Sequence, residues 1–303
     1  MITSSPIGVA VAPRPGPSGS GGSETGTAAA GAVELIGREL GGYEELQAAN
    51  ELYARVFGYQ DPSFALNPNL LVALRDNGGS VVGVFTPEGG IVGFAYGFAG
   101  RDAAGNDFHY SQSAVVDPAF QGRGIGRELK LLQRGVAERW GHRSMRWAFD
   151  PILTRNGHFN FSTLGAIGTA YLPDYYGRPC TDRLVVEWAL GDGTAAEPDD
   201  PYLVQRGLAA PSLGGARWAA AVEQADGAVW VPLPAEPEAA LSAGLRGPLA
   251  DTLQAVLAEG RVLVDCRCVD EATVAYLAVP RIGSAAGASA AGASAAGLPQ
   301  EES

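Results

Sequence analysis

Cysteine is scarce in this chain, with three in 303 residues, at Cys180, Cys266 and Cys268. Three thiols cannot all pair, and their spacing offers no zinc-binding pattern. Cys266 and Cys268 alternate along the run VLVDCRC, where they share one strand face too closely for a strain-free disulfide. The expectation is a reducing, cytoplasmic setting and no metal. Positive charge is also short: 21 Lys and Arg against 33 Asp and Glu give a net charge of −12. A nucleic-acid binder needs a basic stripe to displace counterions, so that class of partner is excluded. No apolar run approaches the roughly 20 residues of a membrane span. The N-terminal stretch lacks the basic segment and apolar run of a secretory signal. Neither membrane nor nucleic acid is expected as a partner.

What is present supports a folded enzyme-sized unit. Hydrophobic residues make up 46% and charged residues 18%, enough apolar side chain for a sizeable core. Gly (42) and Pro (20) are frequent and unevenly placed. Residues 1–32 are rich in Pro, Gly and Ser, and 281–303 carry an AAGAS-type repeat. Neither has an amphipathic period to offset the entropy of ordering it, so both read as solvated low-complexity tails. The charge is unevenly spread as well. Residues 101–160 carry a net +3, whereas 181–303 carry −10. A positive island in an acidic chain suits a small anionic ligand, although scatter alone produces such islands.

Helical spacing runs through Tyr43–Phe57 and is stopped by Gly58, and a second helix follows Asn67 and Pro68 to Asn77. Strand-type runs fall at 33–36, 81–85, 91–98 and 107–116. An amphipathic helix is expected over 127–140, a strand over 145–149, a helix over 155–164 and a strand over 184–190. Beyond 200 the pattern weakens to strands at 229–233, 262–268 and 273–279 and a helix at 249–259.

The informative stretch is Val115 to Arg127, in which an apolar strand leads through a glycine-rich turn into the amphipathic helix. Glycines let backbone approach a phosphate closely, and the free amides of a helix start hold its charge. Arg123 and Arg127 add charge there, although such a turn is also built for conformation alone. A dinucleotide fingerprint would place its glycines directly after the strand, and here Asp117 to Gln121 intervene. A triphosphate loop would need Lys-Ser or Lys-Thr after its last glycine, and the chain has Arg127-Glu128.

The pattern Gln-x-x-Gly-x-Gly at Gln121, Gly124 and Gly126, preceded by Val116-Asp117-Pro118, resembles the pyrophosphate motif of the GNAT superfamily of acyl-CoA-dependent acyltransferases. The order of elements over about 33–190 is similar too. The stretches 147–151, 155–160 and 164–166 look like a poorly characterised GNAT subfamily with a C-terminal extension. The resemblance implies an α/β (α+β) fold with a mixed, mainly antiparallel sheet, splayed at the cofactor site, with helices on both faces. It implies a GNAT domain at 33–190 and a small C-terminal α/β appendage at 191–280. The co-substrate implied is acetyl-CoA or another short acyl-CoA, held by Gln121, Gly122, Arg123, Gly124, Ile125, Gly126 and Arg127. Backbone amides at Val115 and Val116 would receive the thioester carbonyl.

The resemblance also shows a departure. Many members carry a tyrosine that protonates the CoA thiolate four residues before the glycine at 165, and here that residue is Phe161. Tyr171, Tyr175 and Tyr176 lie downstream as substitutes or as half-buried packing. His109, on the strand before the bulge, is the candidate base, or a strand histidine satisfied by a neighbour. His142 ends a helix, where charge suits the dipole. Asp150 either holds the substrate ammonium or caps the turn before Pro151. Asn156 and Asn160, four apart, present a polar face, either Asn156 toward the cofactor and Asn160 toward the substrate or both simply solvated. Arg155 would pair with a substrate carboxylate, contact a phosphate or sit in a surface ion pair. The expected activity is N-acyl transfer to a small-molecule amine, an amino acid being one such acceptor, with room for a homo-oligomer. The alternative is a non-catalytic acyl-CoA sensor or interaction module on the same fold.

Overall fold

The computed structural model describes residues 34–59, 65–191, 200–213 and 215–282. Both expected tails lie outside these described residues, apart from Arg281 and Ile282 at the start of the C-terminal one. In chain order the elements are β1 (Ile36–Glu39), α1 (Tyr43–Phe57), α2 (Pro68–Asp76), β2 (Ser80–Phe85), β3 (Ile91–Arg101) and β4 (Asp107–Val116). There follow α3 (Ile125–Arg139), β5 (Ser144–Phe149), α4 (Thr154–His158), β6 (Ile167–Leu172) and β7 (Arg183–Ala189). The chain continues with α5 (Leu203–Arg206), β8 (Val222–Glu223), β9 (Val229–Pro234), α6 (Pro237–Ser242), α7 (Arg246–Ala258), β10 (Arg261–Cys268) and β11 (Thr273–Pro280).

Eleven strands form one sheet in the order β1-β2-β3-β4-β5-β7-β6-β10-β11-β9-β8. Pairings are antiparallel apart from β4 with β5. The C-terminal strands therefore extend the sheet of the preceding segment, joined where Leu263 of β10 pairs with Gly168 of β6. The fold is a mixed α/β one with a mostly antiparallel sheet.

The pleat sorts side chains onto two faces. Leu46, Ala49 and Leu52 of α1 and Leu71 of α2 cover one face, against Val81, Phe94 and Val115. Ile125, Leu129 and Val136 of α3 cover the other, against Val82, Val84, Ala114 and Val116. On that second face a larger core joins β5 and β7 to the C-terminal segment through Trp147, Phe149, Phe161, Leu184, Leu249, Leu253 and Tyr276. A fourth cluster around Trp230, Val262 and Leu277 fills the opposite side of the C-terminal strands.

Local departures have identifiable causes. The first strand lies at Ile36–Glu39 rather than 33–36. β6 was not anticipated; its residues 167–172 have no clean alternation because a bulge interrupts its pairing with β7 between Gly168 and Ala170. The helix expected over 155–164 is a short α4 that widens into a π-helical turn at Phe159–Thr163. Among the described residues no helix is long and apolar enough to cross a membrane.

Candidate active site

The site forms where β4 parts from β5. The two strands pair only at His109 with Met145 and Tyr110 with Arg146. A bulge at Gln112, between the Gly97–Ser111 and Tyr96–Ser113 pairs, bends β4 at that point. Beyond it, Ser111–Ala114 and Trp147–Phe149 face each other across a narrow cleft that Lys130, Asn156 and Asn160 also line.

The glycine turn opens α3 at the end of β4. Gly122 (φ +77°) and Gly124 (φ +79°) are left-handed, and a Cβ on either would point into open space. Gln121 Nε2 reaches back to donate to Val116 O at 3.3 Å. Asp117 accepts from Ala119 N at 3.0 Å and pairs with Arg55 at 2.9 Å, which fixes the entry to the turn. Gly124 is the N-cap of α3, and among the described residues no side chain caps it. The first-turn amides thus remain free donors. Arg123 sits 5.1 Å over the Phe120 ring, and exposed Arg127 borders a separate cavity of about 320 Å³ against β7. Gly126 brings α3 within ordinary contact of Phe159, so α3 and the helix after β5 meet beside the cleft.

A polar chain runs through the core behind the cleft. Lys130 Nζ donates to Ser111 Oγ (2.8 Å), and Ser111 Oγ donates to Gln133 Oε1 (2.7 Å). Gln133 Nε2 donates to Ser80 Oγ (3.0 Å), which meets His109 Nε2 at 2.8 Å. Gly97 makes room for the chain, because a Cβ there would stand 2.6 Å from His109 Nε2 and 2.5 Å from Tyr110 O. Lys130 is 2% exposed, and its ammonium lies 3.8 Å from the Trp147 ring centroid. Burial lowers its pKa from 10.5 to about 7.

Several expected site residues take other positions. His109 is fully buried, does not line the cleft, and is held to about 4 by burial, then by His142 and Lys130. A base needs access to the proton that it removes, and this histidine is walled into the core. His142 is buried too, its ring 5.9 Å from that of His109. Asp150 is gripped by Arg246 of α7 at 3.1 and 2.8 Å while its Oδ1 accepts from Ile152 N, so it holds the turn after β5. Val115 and Val116 pack into the two opposite cores, and the cleft edge of β4 is Ser111–Ala114 just before them. Asn156 and Asn160 both line the cleft, and Asn160 Oδ1 accepts from Trp147 Nε1 at 3.0 Å. Arg155 is exposed on α4 and is not among the residues lining the cleft. Phe161 lies wholly in the core, its ring 6.0 Å from that of Phe149 and 6.2 Å from that of Tyr276.

The C-terminal segment holds the far side of the helix after β5. Tyr276 Oη donates to Pro151 O (2.7 Å), Cys266 Sγ donates to Thr154 O (3.3 Å), and His158 Nδ1 meets Cys266 O at 2.9 Å. Arg206 donates to the carbonyls of Phe161, Val264, Gly165 and Ala166. Gly157 is needed for this approach, since a Cβ there would lie 2.7 Å from the Tyr276 ring and 2.9 Å from Cys266 Sγ.

Two further residues escaped the sequence reading. Arg183, at the start of β7, is 2% exposed and has no ion pair among the described residues. It donates to Asp182 O (2.7 Å) and lies 5.0 Å from the Tyr176 ring, while Tyr110 Oη and Tyr175 Oη meet at 3.3 Å nearby. Nothing in the local sequence marks it. Lys130 did carry a signal: it is the single lysine among 21 basic residues.

Residues 43–151 match the family model described as "Acetyltransferase (GNAT) family". No curated protein matches the chain. Among solved structures, a phosphinothricin acetyltransferase from Sinorhizobium meliloti in complex with AcCoA is 20% identical, with a TM-score of 0.42, covering 55% of this chain and 94% of its own. The putative acetyltransferase yncA from Salmonella typhimurium, with acetyl-CoA, is 21% identical with a TM-score of 0.41, covering 54% of this chain and 98% of its own. A GCN5-related N-acetyltransferase from Kribbella flavida is 19% identical with a TM-score of 0.40, covering 52% of this chain and 98% of its own. The glycine turn, the helix it opens and the parted strands lie within or beside the segment, residues 43–151, that matches this family model.

Proposed function

We propose that this chain is an acyl-CoA-dependent N-acyltransferase that moves an acetyl or other short acyl group to the amine of a small molecule by direct attack on the thioester. The observation that carries this reading is a conjunction. A left-handed glycine turn opens an uncapped helix at the same end of β4 where that strand leaves β5. Phosphate oxygens fit the turn because Gly122 and Gly124 leave the space in front of the amides clear. Gln121, Gly122, Arg123, Gly124, Ile125, Gly126 and Arg127 form this cradle, with the arginines contributing long-range charge. Asn156 and Asn160 supply amide groups to the pantetheine arm from the opposite wall. The amides of Ser113 to Val116 receive the carbonyl oxygen as it gains charge. Residues 33–190 make up the catalytic unit, and 191–280 brace the helix after β5 from behind.

The acceptor approaches from the other sheet face, where the surroundings of Arg183 support a carboxylate-bearing amine such as an amino acid. A guanidinium withdrawn from water with no carboxylate partner is costly, and a substrate carboxylate would relieve that cost bidentately. Arg183 takes the part first given to Arg155, and the proton of the acceptor ammonium goes to solvent rather than to His109 or Asp150. The test is thiol release from acetyl-CoA and succinyl-CoA with amino acids and with the matching decarboxylated amines. Turnover restricted to the amino acids, with KM raised at least roughly tenfold in Arg183→Ala, is the expected result. Thermal stabilisation by CoA with no turnover on any amine would instead favour an acyl-CoA sensor.

A further inference from the structure

We infer that Lys130 is the general acid of this acyl transfer, giving an ammonium proton to the CoA sulphur as the carbon–sulphur bond breaks; the inference rests on the acyltransferase reading above. Three observations converge on it. The chain uses arginine for 20 of its 21 basic residues, and its one lysine is 98% buried in the wall of the parted strands. A guanidinium cannot release a proton near neutrality, whereas an ammonium can, so lysine at this place is a choice of chemistry as well as charge. Among the described residues no carboxylate neutralises Lys130; its contacts are Ser111 Oγ and the Trp147 ring. Finally, the residues that the helix after β5 turns into the cleft, Asn156 and Asn160, are not acids, and Phe161 is in the core.

The groups around Lys130 are consistent with that role. From β4 come Ser111 and, through Gln133 and Ser80, neutral His109; from β5 comes Trp147; from α4 and the π-helical turn come Asn156 and Asn160. On α3 itself, Arg134 one turn further pairs with Glu138 at 2.8 Å. Burial, with no opposing carboxylate, sets the ammonium near neutrality at about 7. That lies below the ~8.5 of an ordinary thiol, so transfer to the thiolate runs downhill. The step balances as follows. The acceptor nitrogen bonds to the carbonyl carbon, the tetrahedral centre collapses, and the carbon–sulphur pair leaves on sulphur. Lys130 gives sulphur a proton and becomes a neutral amine. The extra proton on the acylated nitrogen goes to water, and Lys130 takes one from water once the thiol departs.

The test uses the full chain, in which lysine labelled at 13Cε reports Lys130 alone. We expect its resonance to titrate near neutrality and to move when CoA is added, with kcat falling as pH rises through the same midpoint. Lys130→Met should lower kcat on the order of 10²-fold and lose that limb, while KM for acetyl-CoA changes little. Lys130→Arg should stay as slow, because a merely electrostatic or packing role is rescued by a permanent cation and an acid is not. A Lys130→Met enzyme with wild-type rate and pH profile, or rescue by arginine, overturns the assignment while leaving acyl transfer standing. Failure of the wild-type chain to bind CoA or release thiol overturns both.

Discussion

Replacing Lys130 with Met should make the protein more stable at neutral and acidic pH, and the gain should vanish in alkali. The ammonium is buried, and among the described residues its contacts are a hydroxyl and an indole ring. Each tenfold loss of proton affinity is worth about 1.4 kcal/mol, so lowering the pKa from 10.5 to about 7 corresponds to roughly 5 kcal/mol of unfavourable charge burial. Met fills a similar volume and removes that cost, but also removes the bond to Ser111 and the cation–ring contact, worth together about 2 kcal/mol. The net expectation at pH 6 is a gain of about 3 kcal/mol, or a Tm higher by roughly 6–12 °C for a domain of this size. The sign with pH follows from proton counting. Between about 7 and 10.5 the unfolded chain holds the lysine proton and the folded chain does not, so wild-type stability rises with pH across that window. Denaturant melts of both proteins from pH 6 to pH 10 measure the difference. A gap that does not change with pH, or a variant less stable than wild type at pH 6, refutes the claim that Lys130 is buried charged without compensation.

The other expectations concern the turn, the brace and the ion pair behind the cleft. Gly124→Val should cost about 1–2 kcal/mol of backbone strain at φ +79° and weaken CoA binding at least tenfold by calorimetry, because the side chain enters the space before the amides. Unchanged affinity would place the pyrophosphate elsewhere. Gly157→Ala should destabilise by about 1–3 kcal/mol, since its Cβ meets Tyr276 and Cys266 closer than 3 Å; a Tm equal to wild type would show that the two strands yield. Arg246→Ala should cost about 2–3 kcal/mol by leaving the mostly buried Asp150 carboxylate unpaired, and Asp150→Asn in the same chain should recover most of it. Additive losses in that double variant would mean that the pair is not coupled.

Much of the scaffold was legible because it is local. The stripe Leu46, Ala49, Leu52 and the stop at Gly58 define α1 without reference to the rest of the molecule, and β4 and the glycine turn are equally self-declared. Elements that depend on distant partners were not. β6 is a strand because β7 and β10 flank it, and its own residues carry a bulge that blurs the period. The π-helical turn after α4 matters more. Counting four residues back from Gly165 correctly reaches Phe161, yet that position faces Tyr276 of a strand more than a hundred residues later. No local pattern tells which residue of such a turn looks into the cleft. His109 and Asp150 misled for a related reason. Residue type shows that a group can titrate, whereas Ser80 and Arg246, which occupy these two groups, arrive from elsewhere in the chain.

The parts of the site that resist local explanation are those held in place at a cost. Cores are built from apolar residues, and a polar network inside one is stable when every member is satisfied. From Ser111 to His109 each contact feeds the next, with His109 Nδ1 left over at the far end. Lys130 at its end differs, because a serine hydroxyl and a ring do not neutralise an ammonium, and a leucine would pack against Leu129 and Trp147 more favourably. Arg183 repeats the pattern, a buried cation without a carboxylate partner among the described residues, beside the Tyr176 ring. Two buried cations without a carboxylate partner among the described residues, one on α3 and one on β7, are difficult to account for by folding, which would favour removing both. They are readily accounted for if each meets its counterpart only when the cleft is loaded, the thiolate at Lys130 and the acceptor carboxylate at Arg183. Stability measured with and without bound ligands should then show each variant more stable than wild type when empty, and less responsive to its own ligand alone.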